Sequence, residues 1–114
     1  MTNFNKEYIT ICLDLNDCSN KKDVRRHNKA MKKLSVLYHQ IENESDKSFL
    51  LELLKNDNGQ VRCTAAAHCL GLGIYLNEAK KVLKCLAKNK HDIDLAFEAE
   101  SVLDVWKEQG YLNF

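Results

Sequence analysis

The chain has 114 residues, no proline, four glycines and a net charge of +1. That length suits one domain with a modest core, and abundant Leu, Ala and Lys beside so few helix breakers favour an all-helical protein. No apolar run approaches the roughly 20 residues that span a bilayer. The start, Met-Thr-Asn-Phe-Asn-Lys, lacks the charged and apolar parts of a signal peptide, so a cytoplasmic protein with no membrane contact is expected.

Five cysteines fit that placement, because an odd number closes no disulfide framework. Cys12, Cys69 and Cys85 fall on apolar helix faces, where cysteine acts as a small core residue. A metal site on Cys63, His68 and Cys69 is the sharper alternative. Positions six apart lie about 240° around a helix, however, so Cys63 and Cys69 grip one ion poorly, and no CxxC or HxxxH spacing occurs. No metal or cofactor is expected.

Charge is unevenly placed. Residues 1–41 hold eight Lys/Arg against four Asp/Glu, an excess of +4, and residues 42–90 an excess of +2. Residues 91–114 hold one against six, an excess of −5. A basic end and an acidic end bear on partners more than on fold.

In chain order, apolar spacing predicts a first helix over about 4–16, with Phe4, Tyr8, Ile11, Cys12 and Leu15 inward, ended by "NDCSN" at 16–20. A second runs over about 21–42, with Val24, Met31, Leu34, Tyr38 and Ile41 as its buried stripe. "ENESDK" (42–47) breaks the chain, and Ser45 or Asp46 can cap a short third helix at 48–56, apolar at Phe49, Leu50, Leu53 and Leu54. "NDNG" is a turn, with Asp57 or Asn58 capping a fourth helix at 59–72 that Gly71 and Gly73 end. Asn77 caps a fifth at 78–88, with Ala79, Val82, Leu83 and Leu86 inward. Asp92 caps a sixth at 93–109, with Leu95, Ala99, Val102, Leu103 and Trp106 inward and Gly110 as its stop.

Sliding the chain by 33 residues lays "KSFLLELLKN" (47–56) over "KKVLKCLAKN" (80–89), Ala66 over Ala99 and Leu70 over Leu103. A two-helix repeat of this length marks an α-solenoid. The fourth helix stays small at Ala65 and Ala66 so that neighbouring helices can approach it closely. Asp57, Val61, Arg62, Ala65, Ala66 and Leu70 resemble the second-helix signature of HEAT repeats. The later copy is degenerate, with Asp94-Leu95 where Val61-Arg62 would stand. In HEAT repeats that arginine is structural, so Arg62 is expected to pair with Asp57 or Asp94.

No pattern declares catalysis. Phosphate loop, nucleophile elbow and HExxH are missing, and His27, His39, His68 and His91 are scattered. Carboxylate pairs such as Asp94/Glu98 and Glu100/Asp104 read as a solvated face, and the chain is read as a non-enzyme. Its surfaces say more. Off the apolar stripe of the sixth helix lie Asp94, Phe97, Glu98, Glu100, Ser101, Asp104 and Glu108. Phe97 among acids either packs beneath the terminal "YLNF" or is an aromatic anchor for a basic partner. In a HEAT-like stack Thr64, Ala67 and His68 of the fourth helix join the same face, with His68 a partly exposed histidine. On the second helix, Lys22, Arg25, Arg26, Lys29, Lys32 and Lys33 offer an alternative basic surface that could meet a phosphate backbone. No aromatics stand between those charges, so nucleic acid is the lesser expectation.

"RHNKAMKKLSVLYHQIE" (26–42), "LLELLKNDNGQVRCTAAAHCL" (50–70), "EAKKVLKCLA" (78–87) and "AFEAESVLDVWKEQG" (96–110) together resemble a small bacterial HEAT-like domain of unknown function. The resemblance covers about 24–110 and leaves the first twenty residues outside. It implies an interaction module. Members are commonly small cytoplasmic partners encoded near secreted or contact-delivered toxins, and several resemble immunity proteins. The expectation is therefore an all-α, HEAT-like α-solenoid of about six helices in one domain, monomeric when free. It would neutralise a cognate toxin, such as a nuclease, through Thr64, His68, Phe97, Glu98, Glu100, Ser101, Asp104 and Glu108. The alternative is a nucleic-acid-binding HEAT-like module using the basic second helix.

Overall fold

A computed structural model describes residues 4–21, 24–89 and 91–110. Its elements are α1 (Phe4–Lys21), α2 (Val24–Glu42), α3 (Phe49–Leu53), α4 (Gly59–Leu72), α5 (Leu76–Ala87) and α6 (Ile93–Gln109), with no strand among the described residues. The chain is all-α, as its composition implies. None of the described helices is long and apolar enough to cross a membrane. Two compact units meet in sequence at Phe49 and Leu50: α1 and α2 form the first, and α4 to α6 lie in the second.

In the first unit α1 and α2 pack along each other. α1 buries Tyr8, Cys12 and Leu15. It does not stop at "NDCSN" but continues to Lys21. Asn, Asp and Ser are weak helix formers that cost a few tenths of a kcal/mol each, and without Gly or Pro none of them is a breaker. α2 buries Ala30, Leu34, Leu37, Tyr38 and Ile41. Val24 and Met31, expected inside, are exposed. The stripe is rotated: Leu37 fills the flank three residues after Leu34, and Met31, three residues before it, is left on the open side. An ion pair between Arg26 and Asp14 joins the two helices on their half-exposed side.

The link to the second unit is polar and locally bonded. Asp46 Oδ1 accepts from Ser48 N at 3.0 Å and from Ser48 Oγ at 2.7 Å. These bonds hold its carboxyl below the usual range. Asp46 thus closes a turn ahead of α3, and α3 is shorter than the 48–56 expected.

In the second unit α5 packs on both α4 and α6, and α4 also touches α6. The 33-residue offset holds in the core: Leu50 and Leu83, Leu53 and Leu86, Ala66 and Ala99, Leu70 and Leu103 are buried pair by pair. α4 has the predicted bounds and no exposed side. Val61 and the whole run from Cys63 to Leu70 are buried. Its ends are secured without charge. Asn58 Oδ1 accepts from the N–H groups of Gln60 and Val61 at 2.9 and 3.1 Å. At the other end Gly73, at φ 73°, donates to Leu70 O while Ile74 donates to Cys69 O, the paired bonds of a Schellman stop. Smallness matters at the entry too, because a Cβ on Gly59 would stand 2.5 Å from Leu95 Cδ2.

Arg62 is structural but pairs differently from expectation. Its Nη1 donates to the main-chain carbonyls of Asn56 and Asp57 at 2.6 and 3.0 Å. It ties the turn before α4 through backbone oxygens, not through the Asp57 or Asp94 carboxylate. α5 starts earlier than expected, at Leu76, after Tyr75 in the left-handed region at φ 49°. Asn77 is therefore inside the first turn and is not the cap. α6 matches its predicted bounds, with Asp92 Oδ1 accepting from Leu95 N at 3.1 Å and Gly110 ending it at φ 77°. Lys80 Nζ lies 4.3 Å from the centre of the Trp106 ring, a cation–π contact between α5 and α6.

Replacing Arg62 with Met keeps an alkyl stem but leaves two carbonyls unserved. Urea unfolding should show a loss of about 2 kcal/mol. An unchanged midpoint would show that these bonds contribute nothing to stability.

Candidate protein-binding face

The expected site residues separate into two environments. Phe97, Glu98, Glu100, Asp104 and Glu108 are exposed on α6, with Ser101 half-buried among them. Thr64 and His68 are interior, and Ala67 with them. His68 is not the partly exposed histidine that was expected, since none of it reaches the surface. The signal was present in the sequence. From Cys63 to Gly73 there is no Asp, Glu, Lys or Arg, and an uncharged helix has no obvious wet side.

Burial sets the chemistry of α4. It pushes the His68 imidazole down to about 3, so the ring is neutral near pH 7. Burial, aided by the charge of Glu78, pushes the Cys69 thiol up to about 12, which removes its thiolate reactivity. Among the described residues no three His, Cys, Asp or Glu side chains gather as a metal site needs. Of the cysteines read as core, Cys12 and Cys69 are buried, but Cys85 is exposed.

α6 presents the open face. Phe97 is 71% exposed and Ile93, one turn before it, is 76% exposed. The two form an apolar pair in the middle of the outward side, with Val105 also exposed farther along. Asp94 and Glu100 stand near them in sequence, and Asp104 and Glu108 continue the outward side towards the C-terminal end of the helix. Glu98 is held at the inner edge: Gln60 Nε2 donates to Glu98 Oε1 at 3.3 Å and to Thr64 Oγ1 at 3.2 Å. Thr64 thus serves the bridge from α4 to α6 and not the surface. Ile93 went unnoticed in the sequence because it follows the Asp92 cap, although its i,i+4 spacing to Phe97 could have marked it. The alternative in which Phe97 packs beneath "YLNF" falls on residues 111–114, outside the described residues.

The basic surface is real but differently built. Arg25, Lys29, Lys32 and Lys33 are exposed, Arg26 pairs with Asp14, and Lys22 lies outside the described residues. Lys29, Lys32 and Lys33 rim a groove of about 770 Å³ between α1 and α2, whose floor includes Ile11, Val36 and Leu37.

The sequence model of the family described as "Domain of unknown function (DUF2019)" matches residues 3–106. The chain belongs to that family. No curated protein and no solved structure matches it. The DUF2019 match begins at residue 3, so α1 lies within the family and not outside it as the resemblance implied. It ends at Trp106, and so includes Ile93, Phe97 and the acids as far as Asp104, but not Glu108, together with the groove of α1 and α2.

His68 gives a pH test with a definite sign. Its folded value, about 3, lies below the ordinary 6.5, so the unfolded chain takes up the proton first as pH falls. The stability from keeping His68 neutral is complete above about pH 6.5 and is lost towards pH 3, at about 1 kcal/mol per pH unit on the steep part. Urea midpoints should therefore fall from pH 7 to pH 5 in the natural chain and fall much less in His68→Leu. Equal slopes would contradict a buried, neutral His68.

Proposed function

We propose that this chain is an immunity protein, a small cytoplasmic partner that acts by binding, not by catalysis. In this reading the outer face of α6 binds a cognate toxin domain and covers its active site or substrate groove. The observation that carries the proposal is the make-up of that face: exposed Ile93 and Phe97 beside Asp94 and Glu100, with Asp104 and Glu108 extending the charge along the same helix. An apolar centre with a charged rim is the layout of a protein interface.

The energetics of α6 support the same reading. Asp94/Glu98, Glu100/Asp104 and Asp104/Glu108 are like-charged pairs one turn apart, each unfavourable by about 0.2–0.5 kcal/mol. Asp104 and Glu108 also approach the negative end of the helix dipole. Glu98 is bonded by Gln60 and Asp94 sits in the first turn, where the dipole favours an acid, but Glu100, Asp104 and Glu108 repel one another, and a cationic partner would convert that repulsion into attraction. A nuclease toxin fits best, because its substrate groove is positive in order to hold phosphates, and a row of carboxylates can occupy it. The toxin connection itself draws on the family resemblance. Fast, salt-sensitive association follows from the charge pattern.

Co-expression with a tagged toxin domain encoded next to this chain tests the proposal. A fixed-ratio complex with the toxin silenced is the expected result. A folded, active toxin that ignores the chain would overturn it. Glu100→Lys with Asp104→Lys should weaken that complex by more than about 2 kcal/mol, roughly 30-fold. The free variant should be as stable as the natural chain or more stable by up to about 1 kcal/mol. Unchanged affinity would place the interface elsewhere, and a drop in stability would mark the acids as structural.

A further inference from the structure

We propose that the lysine-rimmed groove of α1 and α2 receives the acidic outer face of α6 from a second copy of this chain, so that free chains associate head to tail. The inference holds whatever partner α6 otherwise binds.

Both halves of the contact are present in one sequence. The groove has an apolar floor at Ile11, Val36 and Leu37, and Val36 is 55% exposed. Lys6, Lys29, Lys32 and Lys33 line it with a single acid, Glu7. Opposite in character, α6 carries exposed Ile93 and Phe97 on the same outward side as Glu100 and Asp104. The apolar centres match, and the rims are opposite in sign. Lengths match as well. On α2 the groove runs from Lys29 to Gln40, about 17 Å at 1.5 Å per residue, and the outward side of α6 from Ile93 to Asp104 is also about 17 Å. An amphipathic helix in a helix-lined groove is a common recognition mode. The lysines line an apolar floor, and among the described residues no aromatic ring lines that groove for a base to stack on, which favours a helix over a nucleic acid.

Charge distribution over the whole chain adds direction. The excess of +4 in residues 1–41 and of −5 in residues 91–114 gives the segment that holds the groove and the segment that holds α6 opposite charge, so these segments of two copies attract. Because groove and face are different surfaces, the contact is heterologous, and association can continue beyond a dimer. One three-turn helix in a groove falls at the small end of interfaces, below about 1,200 Å², where complexes are transient. Association therefore needs high concentration and low salt. It also hides Phe97, so a basic partner and a second copy compete for the same face.

Sedimentation velocity on the full chain tests this. The sedimentation coefficient should rise with concentration in low salt and lose that rise in about 0.5 M salt, where charges are screened within a few ångströms. Two variants with surface changes only separate the halves. Lys29→Ser with Lys33→Ser removes the groove, and Phe97→Ser with Glu100→Gln removes the face. Each alone should stay monomeric with unchanged helix content. Mixed, they should form a 1:1 dimer and stop there, since one intact groove meets one intact face. A natural chain that stays monomeric at all concentrations overturns the proposal, as does association that survives in either variant or a mixture that fails to pair.

Discussion

No side of α4 is left for water, and most of the second unit follows from that. Between Val61 and Leu70 only Arg62 is outside the buried set. Past Arg62 a helix in that position can carry no charge, and the stretch from Cys63 to Gly73 has none. It must also be slim where others approach, which accounts for Ala65, Ala66 and Ala67. Its polar ends need partners within the chain, supplied by Asn58 at the start and by the Gly73 turn at the finish. Arg62 turns away to the carbonyls of Asn56 and Asp57. His68 is tolerated because it is neutral.

Function is then displaced outward. α4 has nothing to offer a partner, while α6, which packs on α4 and α5, keeps one side open. The Gln60 bridge to Glu98 and Thr64 and the Lys80–Trp106 contact hold α6 in place. Phe97 and its acids are thus carried on a helix whose inner side is fixed, which lowers the ordering cost of binding. The cost of the arrangement is the mutual repulsion of the carboxylates along α6.

Helices with strong local signals could be read from the sequence to the residue. α4 and α6 have side-chain caps at Asn58 and Asp92 and left-handed glycines at their ends, and each signal acts within a few residues of where it stands. Boundaries set by weaker effects could not. α1 runs through "NDCSN" because weak helix formers do not stop a helix. α5 begins at a strained Tyr75 with no cap side chain. Rotation about the helix axis was the other source of error. Val24 and Met31 against Leu37 on α2, and Cys85 on α5, differ by small angles that periodicity alone does not resolve. The acidic face was readable because its charges and Phe97 share one helix. Thr64 and His68 were misplaced because their burial depends on neighbours that lie on other helices. The groove at Ile11 and Val36 was missed for the same reason: it exists only once α1 and α2 are side by side.

Hydrogen–deuterium exchange with and without the proposed toxin partner tests most directly whether α6 is the working face. Amides of α4 should exchange slowly in both states, through global unfolding. Added protection on binding should fall on residues 93–108, with the rest little changed. Protection that instead falls on residues 24–40 and leaves α6 untouched would contradict the assignment and move the interface to the basic helix.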